Sequence, residues 1–345
     1  MRDRRIRLLL VFALGFLPGA APPAEAQPPV EVRTQLGWLR NGEFAPVMVA
    51  DAKGFFAAEG IKHRILDGGP GKNPVPIVGA GQATFGITAG GNNVYQARLA
   101  PDPVDVIAVG TLLQRGPYAW ITLADRGAPD PKPKDLEGKT VGLQSDGHIF
   151  LQALAKKHGL DLKTIKVEVV QANAEPLLVG KVDFFTGWIT NQTYQIELEA
   201  AKPDAPPRIR GKTWKAISFA EHAIVTYSDV VFTTGKTIRE NPDLVRRYLR
   251  ALVRGMQYIL DHPDETVQIV AGYPEQVEKP AKLAWRWKVQ NALFVSEDTK
   301  RNGLLWMNPK VWDGMMAFYR EYEQIPRVIP AAEMMTNEFL PGVKK

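Results

Sequence analysis

Short apolar segments alternate with helix-like segments along the first two thirds of the chain. The segments between the apolar runs have the spacing of amphipathic helices, as at 45–59 and 92–99. Alternation of strands and helices is typical of an α/β fold. Nine apolar runs predict β-strands: 32–37, 62–66, 84–88, 104–113, 140–144, 165–170, 182–187, 216–220 and 230–234.

The last third of the chain has the pattern of helices alone. Asn241 and Pro242 form a helix start, and apolar residues then recur at three- and four-residue spacing from Leu244 to Leu260. This spacing predicts an amphipathic helix with one apolar stripe. We expect the basic residues on its opposite face to be solvated: Arg246, Arg247, Arg250 and Arg254.

Two segments rich in proline, glycine and charged residues, 125–134 and 202–212, interrupt the pattern. They enclose a second α/β unit that resembles the first. Roughly 320 residues would remain after removal of an N-terminal signal, which is more than one hydrophobic core usually organises. The sequence therefore predicts two lobes.

The N-terminus has the features of a secretory signal peptide. Arginines within the first seven residues precede an apolar run at 8–17, and Ala24-Glu25-Ala26 has the small-x-small pattern of a cleavage site. That run is shorter than the ~20 residues that span a bilayer. The chain contains no cysteine, which excludes disulfides, thiol catalysis and a lipid-anchored cysteine. We predict cleavage after residue 26 and a free periplasmic protein without a lipid anchor.

The charge distribution argues against nucleic-acid binding. The formal net charge of +6 falls to about +4 without residues 1–26, which carry four arginines and two acids. The remaining basic residues are interspersed with acidic ones, so no basic stripe forms. The five histidines lack metal-binding spacing, and no G-x-S-x-G motif occurs. We predict no metal site, no cofactor and no nucleic-acid partner.

The glycine-rich stretch at 68–86 completes no nucleotide-binding motif. Asn73 can cap a helix and Pro74 suits its first position, so the stretch predicts a short helix that ends near residue 79 or 81. The free N–H groups at this start, together with Gly69 and Gly71, would suit a bound ligand. A plain strand-to-helix turn is the alternative, and the local pattern leaves both open.

Several motifs, in chain order, resemble the NMT1/THI5-like family of periplasmic solute-binding proteins. This family serves ABC importers of thiamine-pyrimidine precursors, riboflavin, sulfonates and nitrate. The resemblance covers nearly all of the chain after the predicted signal. The matching segments are 36–46 (LGWLRNGEFAP), 50–60 (ADAKGFFAAEG), 69–74 (GPGKNP), 81–86 (GQATFG), 135–142 (DLEGKTVG), 188–192 (WITNQ), 227–232 (YSDVVF) and 336–340 (TNEFL).

The resemblance implies the type II periplasmic binding protein fold, an α/β architecture of two lobes joined by two crossover strands that form a hinge. Residues 27–115 and 230–345 would form lobe 1, and residues 116–229 would form lobe 2. A small-molecule ligand would bind in the cleft between them. The partner would be an ABC transporter permease in the inner membrane, and we expect a monomeric receptor that is not an enzyme.

The resemblance also implies which residues contact the ligand. Trp38 and Trp188 follow strands in opposite lobes and would stack on the two faces of a flat ring. Asn41 and Glu43 would supply polar contacts, although Glu43 could instead favour the start of the following helix. The full predicted set is Trp38, Asn41, Glu43, Phe44, Gly69, Gly71, Lys72, Asn73, Thr88, Asn92, Arg115, Ser145, His148, Trp188, Asn191, Tyr227 and Asp229.

The sequence leaves several functions open. Glu43 and the two tryptophans favour a flat nitrogen heterocycle of the thiamine-pyrimidine or flavin-precursor type. A sulfonate, nitrate or aromatic acid would instead be held by Lys72, Arg115 and helix N-termini. Asn191-Gln192 departs from the Asn-Glu pair of vitamin-precursor binders, which weakens the pyrimidine assignment. A pyrimidine-synthase-like enzyme and a ligand-sensing partner of a membrane signalling protein are also compatible with the sequence.

Overall fold

The computed structural model describes residues 28–144 and 147–342. The predicted signal peptide, the candidate ligand residue Ser145 and the possible helix cap Asp146 lie outside the described residues. The described chain forms two five-stranded mixed sheets covered by helices, which confirms the predicted α/β fold with two lobes. None of the helices in these two ranges combines the length and apolar character that a membrane crossing requires.

The first sheet consists of β1 (Val30–Leu36), β2 (Ile61–Leu66), β3 (Phe85–Gly90), β4 (Val106–Leu113) and β10 (Ser228–Thr234). Its strand order is β2-β1-β3-β10-β4. β1 is parallel to β2 and β3, whereas β10 is antiparallel to both β3 and β4. The carboxyl ends of β1, β3 and β4 therefore meet the start of β10 at one edge, where α/β proteins usually bind ligands.

The second sheet consists of β5 (Tyr118–Ala124), β6 (Thr140–Leu143), β7 (Lys166–Val169), β8 (Phe184–Trp188) and β9 (Thr213–Ser218). Its strand order is β7-β6-β8-β5-β9. β6 is parallel to β7 and β8, and β5 is antiparallel to β8 and β9. Tyr118 at the start of β5 is paired with Trp188 at the end of β8, so both lie at one edge of this sheet.

The helices cover both sheets and continue to the C-terminus. Short 3₁₀ helices lie at Gly42–Phe44, Pro133–Leu136, Leu162–Thr164 and Asn291–Leu293. The α-helices are α1 (Ala45–Ala52), α2 (Phe55–Ala58), α3 (Pro74–Gly79), α4 (Asn92–Arg98), α5 (Gly147–His158), α6 (Glu175–Leu178), α7 (Gln192–Ala200), α8 (Phe219–His222), α9 (Gly235–Glu240), α10 (Pro242–Asp261), α11 (Pro263–Ala271), α12 (Pro280–Gln290), α13 (Glu297–Asn302), α14 (Pro309–Glu321) and α15 (Ala331–Met334).

Two predicted elements differ from the structure, and one strand of the structure was not predicted. The predicted helix 45–59 is divided into α1 and α2, because Gly54 adopts a left-handed conformation with φ of 70°. The predicted strand 216–220 begins earlier and ends at Ser218, whose hydroxyl group caps α8. The pattern predicts no strand at 118–124, where β5 forms, because this apolar run merges into the proline-rich segment that follows.

Helix α14 connects the hydrophobic packing of the two sheets. Its Trp312 meets Tyr95 of α4, beside the first sheet, with ring centroids 6.3 Å apart. Its Phe318 stacks on Phe150 of α5 at 5.8 Å and meets Phe219 of α8 at 5.7 Å, beside the second sheet. The lobe boundaries implied by the resemblance stay a prediction, and α14 of the C-terminal segment packs against elements of both sheets.

A close crossing of α1 and α10 predicts that Gly255→Ala destabilises the protein. A Cβ atom at Gly255 would lie 2.3 Å from the Pro46 carbonyl oxygen and 3.1 Å from the Ala50 nitrogen. Overpacking of this kind costs about 1–3 kcal/mol, which exceeds the gain in helix propensity of about 1 kcal/mol. The midpoint of urea unfolding should fall.

Gly314→Ala provides the matched control, because Gly314 also lies within a helix and its nearest neighbour would be Ile224 Cδ1 at 3.7 Å. This substitution should leave the midpoint unchanged or raise it. Equal effects of the two substitutions would show that the crossing does not depend on Gly255.

Candidate functional site

The edges of the two sheets face each other across a cleft, and the larger share of its aromatic residues surrounds one cavity. This aromatic cavity has a volume of about 250 Å³ and is lined by residues after β3, before β10, at the start of β5 and at the end of β8. Among the described residues its lining includes no lysine, arginine, histidine, aspartate or glutamate. Its six aromatic side chains are Tyr118, Phe150, Trp188, Phe219, Tyr227 and Tyr319.

Packing holds these aromatic walls in position. Phe150 lies against Tyr118 and Phe219, with ring centroids 4.8 Å and 4.6 Å apart. The hydroxyl oxygen of Tyr227 accepts a hydrogen bond from the Asn308 N–H group at 2.6 Å. Burial raises the pKa of Tyr227 to about 12, so its phenol stays neutral at physiological pH. The cavity therefore presents rigid, uncharged rings.

The polar part of the lining consists of small neutral side chains. Asn92 and Asn93 open α4 at the end of β3, and Ser228 opens β10. Thr88 is almost fully buried behind Asn93, whose amide group donates to its hydroxyl oxygen. The Ser228 hydroxyl donates to the Ala89 carbonyl oxygen at 2.6 Å. Of the predicted contacts, Asn92, Trp188 and Tyr227 thus lie on this cavity, whereas Thr88 supports it.

A second cavity of about 390 Å³, the Trp38 groove, lies between the loop after β1 and helix α7. Trp38 is 42% exposed there, and Asn41 and Asn191 also line the groove. Trp38 and Trp188 therefore line different cavities. Stacking of both tryptophans on one ligand ring stays a prediction.

Lys282 of α12 crosses the Trp38 groove. Its ammonium group donates to Asn191 Oδ1 at 2.8 Å and pairs with Glu278 Oε1 at 2.8 Å. Asn191 precedes α7 beside the second sheet, whereas α12 packs on the helices of the first. This contact links the two lobes in the described arrangement.

A buried ion pair supports the loop between β1 and α1. Arg286 is 1% exposed, and its Nε and Nη2 atoms lie 3.0 Å and 2.5 Å from the two carboxylate oxygens of Glu278. Burial opposes ionisation of Glu278, but Arg286 outweighs it and lowers the pKa of this carboxyl group. Glu278 also accepts from the Gly42 N–H group at 3.0 Å, and Gln290 donates to the Gly42 carbonyl oxygen at 3.0 Å.

Next to this support, Glu43 and Asp229 form a pair of interacting carboxyl groups. Burial raises the pKa of Asp229 well above its usual range, and the nearby Glu43 raises it further. Burial also raises the pKa of Glu43, against the opposing effects of Asp229 and Arg286. Two negative charges this close to each other are unfavourable. The pair therefore retains a proton at pH values at which separate carboxyl groups are ionised.

The roles predicted for this segment are only partly supported. Asp229 is fully buried, has a left-handed φ of 53° and lines neither cavity. The Asn41 side chain accepts from the Glu43 N–H group at 2.8 Å and so caps the 3₁₀ helix. Phe44 is 2% exposed and belongs to the hydrophobic core. Glu43 is partly exposed, and its contact with a ligand stays a prediction.

The glycine-rich loop begins beside the Trp38 groove, where the Gly68 N–H group donates to the Trp38 carbonyl oxygen at 3.0 Å. Asn73 caps α3 by accepting from the Val75 N–H group at 3.0 Å, which confirms the predicted helix start and its end at residue 79. The Lys72 N–H group donates within the loop to the Gly69 carbonyl oxygen at 3.0 Å. Neither Gly69, Gly71, Lys72 nor Asn73 lines the aromatic cavity or the Trp38 groove. The contact of this loop with a ligand stays a prediction.

Two further predicted contacts lie on the surface. Arg115 forms an ion pair with Glu221 at 3.5 Å and is substantially exposed. His148 is exposed on α5, and neither residue lines the two cavities. Their contact with a ligand in the described arrangement has no geometric support.

Several lining residues were not predicted from the sequence. Tyr118, Phe150, Phe219 and Tyr319 lie within apolar segments, where a lining residue and a core residue have the same pattern. For Tyr118 a signal did exist, because recognition of β5 would have placed it at a strand end opposite Trp188.

The chain is similar to several known proteins. The family profile described as NMT1/THI5 like matches residues 41–266. Riboflavin-binding protein RibY of Chloroflexus aurantiacus is 27% identical over 94% of this chain and 90% of that protein. A 4-amino-5-hydroxymethyl-2-methylpyrimidine phosphate synthase of Legionella pneumophila is 24% identical over 89% of this chain and 91% of that protein. The periplasmic aliphatic sulphonate binding protein SsuA of Escherichia coli has a TM-score of 0.65 at 13% identity, covering 92% of this chain and 95% of that one.

The Glu43 and Asp229 pair predicts that stability declines with rising pH. Because both pKa values are raised by folding, the stabilisation is complete below the ordinary carboxyl range near 4 and is lost as pH rises through the raised values. Asp229→Asn removes one ionisable group and suits the left-handed backbone. When urea midpoints are measured from about pH 5 to pH 9, the midpoint of this variant should fall much less with rising pH than that of the unmodified protein.

Asp102→Asn is the control for this measurement, because Asp102 is exposed at a surface bend. Its slope should equal that of the unmodified protein. An unchanged slope in Asp229→Asn as well would contradict the proton-sharing pair.

Proposed function

Because the chain belongs to the NMT1/THI5-like family, we propose that it is an extracytoplasmic solute receptor that delivers its ligand to an ABC importer. The ligand is a small, flat, uncharged nitrogen heterocycle of the flavin or thiamine-pyrimidine precursor type. It binds in the aromatic cavity between the lobes. The receptor acts as a monomer and docks on the permease in the inner membrane.

The observation that carries this proposal is the lining of the aromatic cavity. Six aromatic rings and no charged side chain among the described residues surround a space of about 250 Å³. Ligand pockets of roughly 300–1,000 Å³ hold drug-sized molecules, so a cavity just below that range suits a planar fused-ring system whose side chain extends out of the cavity. Flat rings gain about 0.5–1.5 kcal/mol from each well-placed aromatic partner beyond the burial of apolar area.

The relatives support a flavin as the first ligand to test. The similarity to the riboflavin-binding protein of Chloroflexus aurantiacus extends over 94% of this chain. Riboflavin carries a planar, three-ring system with polar edges. Such a ring offers faces to the aromatic side chains and hydrogen-bonding groups to Asn92 and Ser228.

An oxyanion ligand has less support. The cations that the sequence suggested for this role, Lys72 and Arg115, do not line the aromatic cavity, and Arg115 is already paired with Glu221. Burial would remove the hydrating water from a sulfonate, and no cationic partner would be present to compensate for the loss. The likeness to the sulphonate-binding protein, at 13% identity, concerns the fold alone.

An enzymatic role is the alternative from another class of function. Relatives named as pyrimidine phosphate synthases, from Legionella pneumophila and Candida albicans, share 24% and 26% identity with this chain. Catalysis by proton transfer most often uses histidine, carboxylate or lysine side chains, and none of these lines the aromatic cavity among the described residues. This composition favours a binding site over an active site.

The two tryptophans test which cavity holds the ligand. Trp188→Ala should weaken riboflavin binding about tenfold or more, because loss of stacking and apolar burial of order 1–3 kcal/mol corresponds to that range at about 1.4 kcal/mol per decade. Trp38→Ala, its matched control on the Trp38 groove, should change the Kd by less than about threefold. Titration of riboflavin fluorescence measures both. The opposite ranking would place the ligand in the Trp38 groove.

Export is tested separately from binding. The Ala24-Glu25-Ala26 pattern predicts a mature chain that begins at Gln27. N-terminal sequencing and intact mass of the protein from a periplasmic extract should show this start. A chain that still begins at Met1 would contradict the proposed location without affecting the ligand assignment.

A further inference from the structure

Three side chains at the end of β3 are joined by hydrogen bonds, and this series reaches the wall of the aromatic cavity. The Asn93 amide nitrogen donates to the Thr88 hydroxyl oxygen, and the Asn92 amide nitrogen donates to Asn93 Oδ1 at 3.4 Å. Thr88 is 1% exposed and is held within β3 between neighbouring strands. The buried end of the series is therefore rigid, and the two asparagines line the cavity.

These bonds leave part of the Asn92 amide group available. Its nitrogen uses one of two hydrogens on Asn93, and its Oδ1 atom has two lone pairs with which it can accept from a ligand. An amide group in this state offers one acceptor and one donor side by side.

The backbone beside Asn92 is shaped to admit this oxygen. A Cβ atom at Gly90 would lie 2.3 Å from Asn92 Oδ1, so a larger residue at this position would displace the Asn92 side chain. Gly90 also lines the aromatic cavity. The glycine and the hydrogen-bonded series thus fix the Asn92 amide group at the cavity wall.

We infer that Asn92 determines specificity by reading an imide or lactam edge of the ligand ring. Its Oδ1 accepts from a ring N–H group, and its remaining N–H donates to the adjacent ring carbonyl. Asn93 and Thr88 are positioning residues that hold this orientation. The inference rests on the proposed function, and it narrows the ligand class to planar rings that carry N–H beside C=O.

Riboflavin and 3-methylriboflavin form the probe pair, because they differ in the one ring N–H group of the imide edge. The unmodified protein should bind riboflavin at least about tenfold more tightly, since methylation leaves Asn92 Oδ1 without a donor. Asn92→Ala should weaken riboflavin binding and abolish the preference. Both Kd values are measured by titration of flavin fluorescence.

The positioning residues are tested by the ratio of the Kd for 3-methylriboflavin to the Kd for riboflavin. Thr88→Val keeps the volume but removes the acceptor for Asn93, so the preference for riboflavin should fall several-fold. Thr88→Ser keeps the hydroxyl group and should retain the preference. A change in packing alone would weaken both probes equally and leave the ratio intact, so such a result would overturn the positioning role.

The outcomes separate this inference from the proposed function. Equal binding of both flavins by the unmodified protein would overturn the role of Asn92 while leaving a flavin receptor in place. A preference for riboflavin that persists in Asn92→Ala would also overturn the role of Asn92 and leave a flavin receptor in place. Absence of binding by either flavin would overturn the flavin ligand, and with it the inference that depends on it. Circular dichroism and thermal melting establish that each variant is folded.

Discussion

The packing of one helix against both sheets sets the geometry of the cleft. Trp312 and Phe318 of α14 contact aromatic residues beside the first and the second sheet, respectively. Met315 and Tyr319 of the same helix line the aromatic cavity. Helix α14, which packs against both lobes, therefore also forms part of the cavity wall that would contact a ligand. Displacement of either sheet relative to α14 would alter the cavity as well as the core.

Polar contacts define the Trp38 groove, which adjoins the aromatic cavity where the Asn191 N–H group donates to the Trp188 carbonyl oxygen. Arg286 and Glu278 would be costly to bury separately, but together they hold the backbone of Gly42. Lys282 extends this network to Asn191 across the Trp38 groove. The two cavities thus differ in chemistry, with aromatic packing in one and charge-assisted hydrogen bonds in the other.

Much of the fold could be predicted from the sequence, because strand and helix periodicity is a local property. The cap at Asn73 and the two α/β units are examples. β5 was missed although its sequence, YAWITLA, has the character of a strand, because the run leads directly into the proline-rich segment at 125–134.

The candidate site was harder to predict, because a cavity depends on which elements meet. Trp188, Tyr227 and Asn92 were identified from their positions beside strand ends. The glycine-rich loop has the composition of a binding loop, but its polar backbone forms a hydrogen bond within the loop. Phe150 and Tyr319 have the same periodicity as core residues, and only the tertiary packing of α5 and α14 places them at the cavity.

The described residues that line the aromatic cavity carry no charge, and this has a consequence for the proposed capture of a ligand in salt solutions. At about 0.1 M salt, dissolved ions largely screen the attraction between exposed charges that are more than about 10 Å apart, but they have little effect on aromatic packing and on short hydrogen bonds between neutral groups. A receptor outside the cytoplasm is exposed to whatever salinity surrounds the cell. Capture by neutral rings and amides would proceed at similar strength in dilute and in saline water, so a nutrient could be collected without adjustment to the medium.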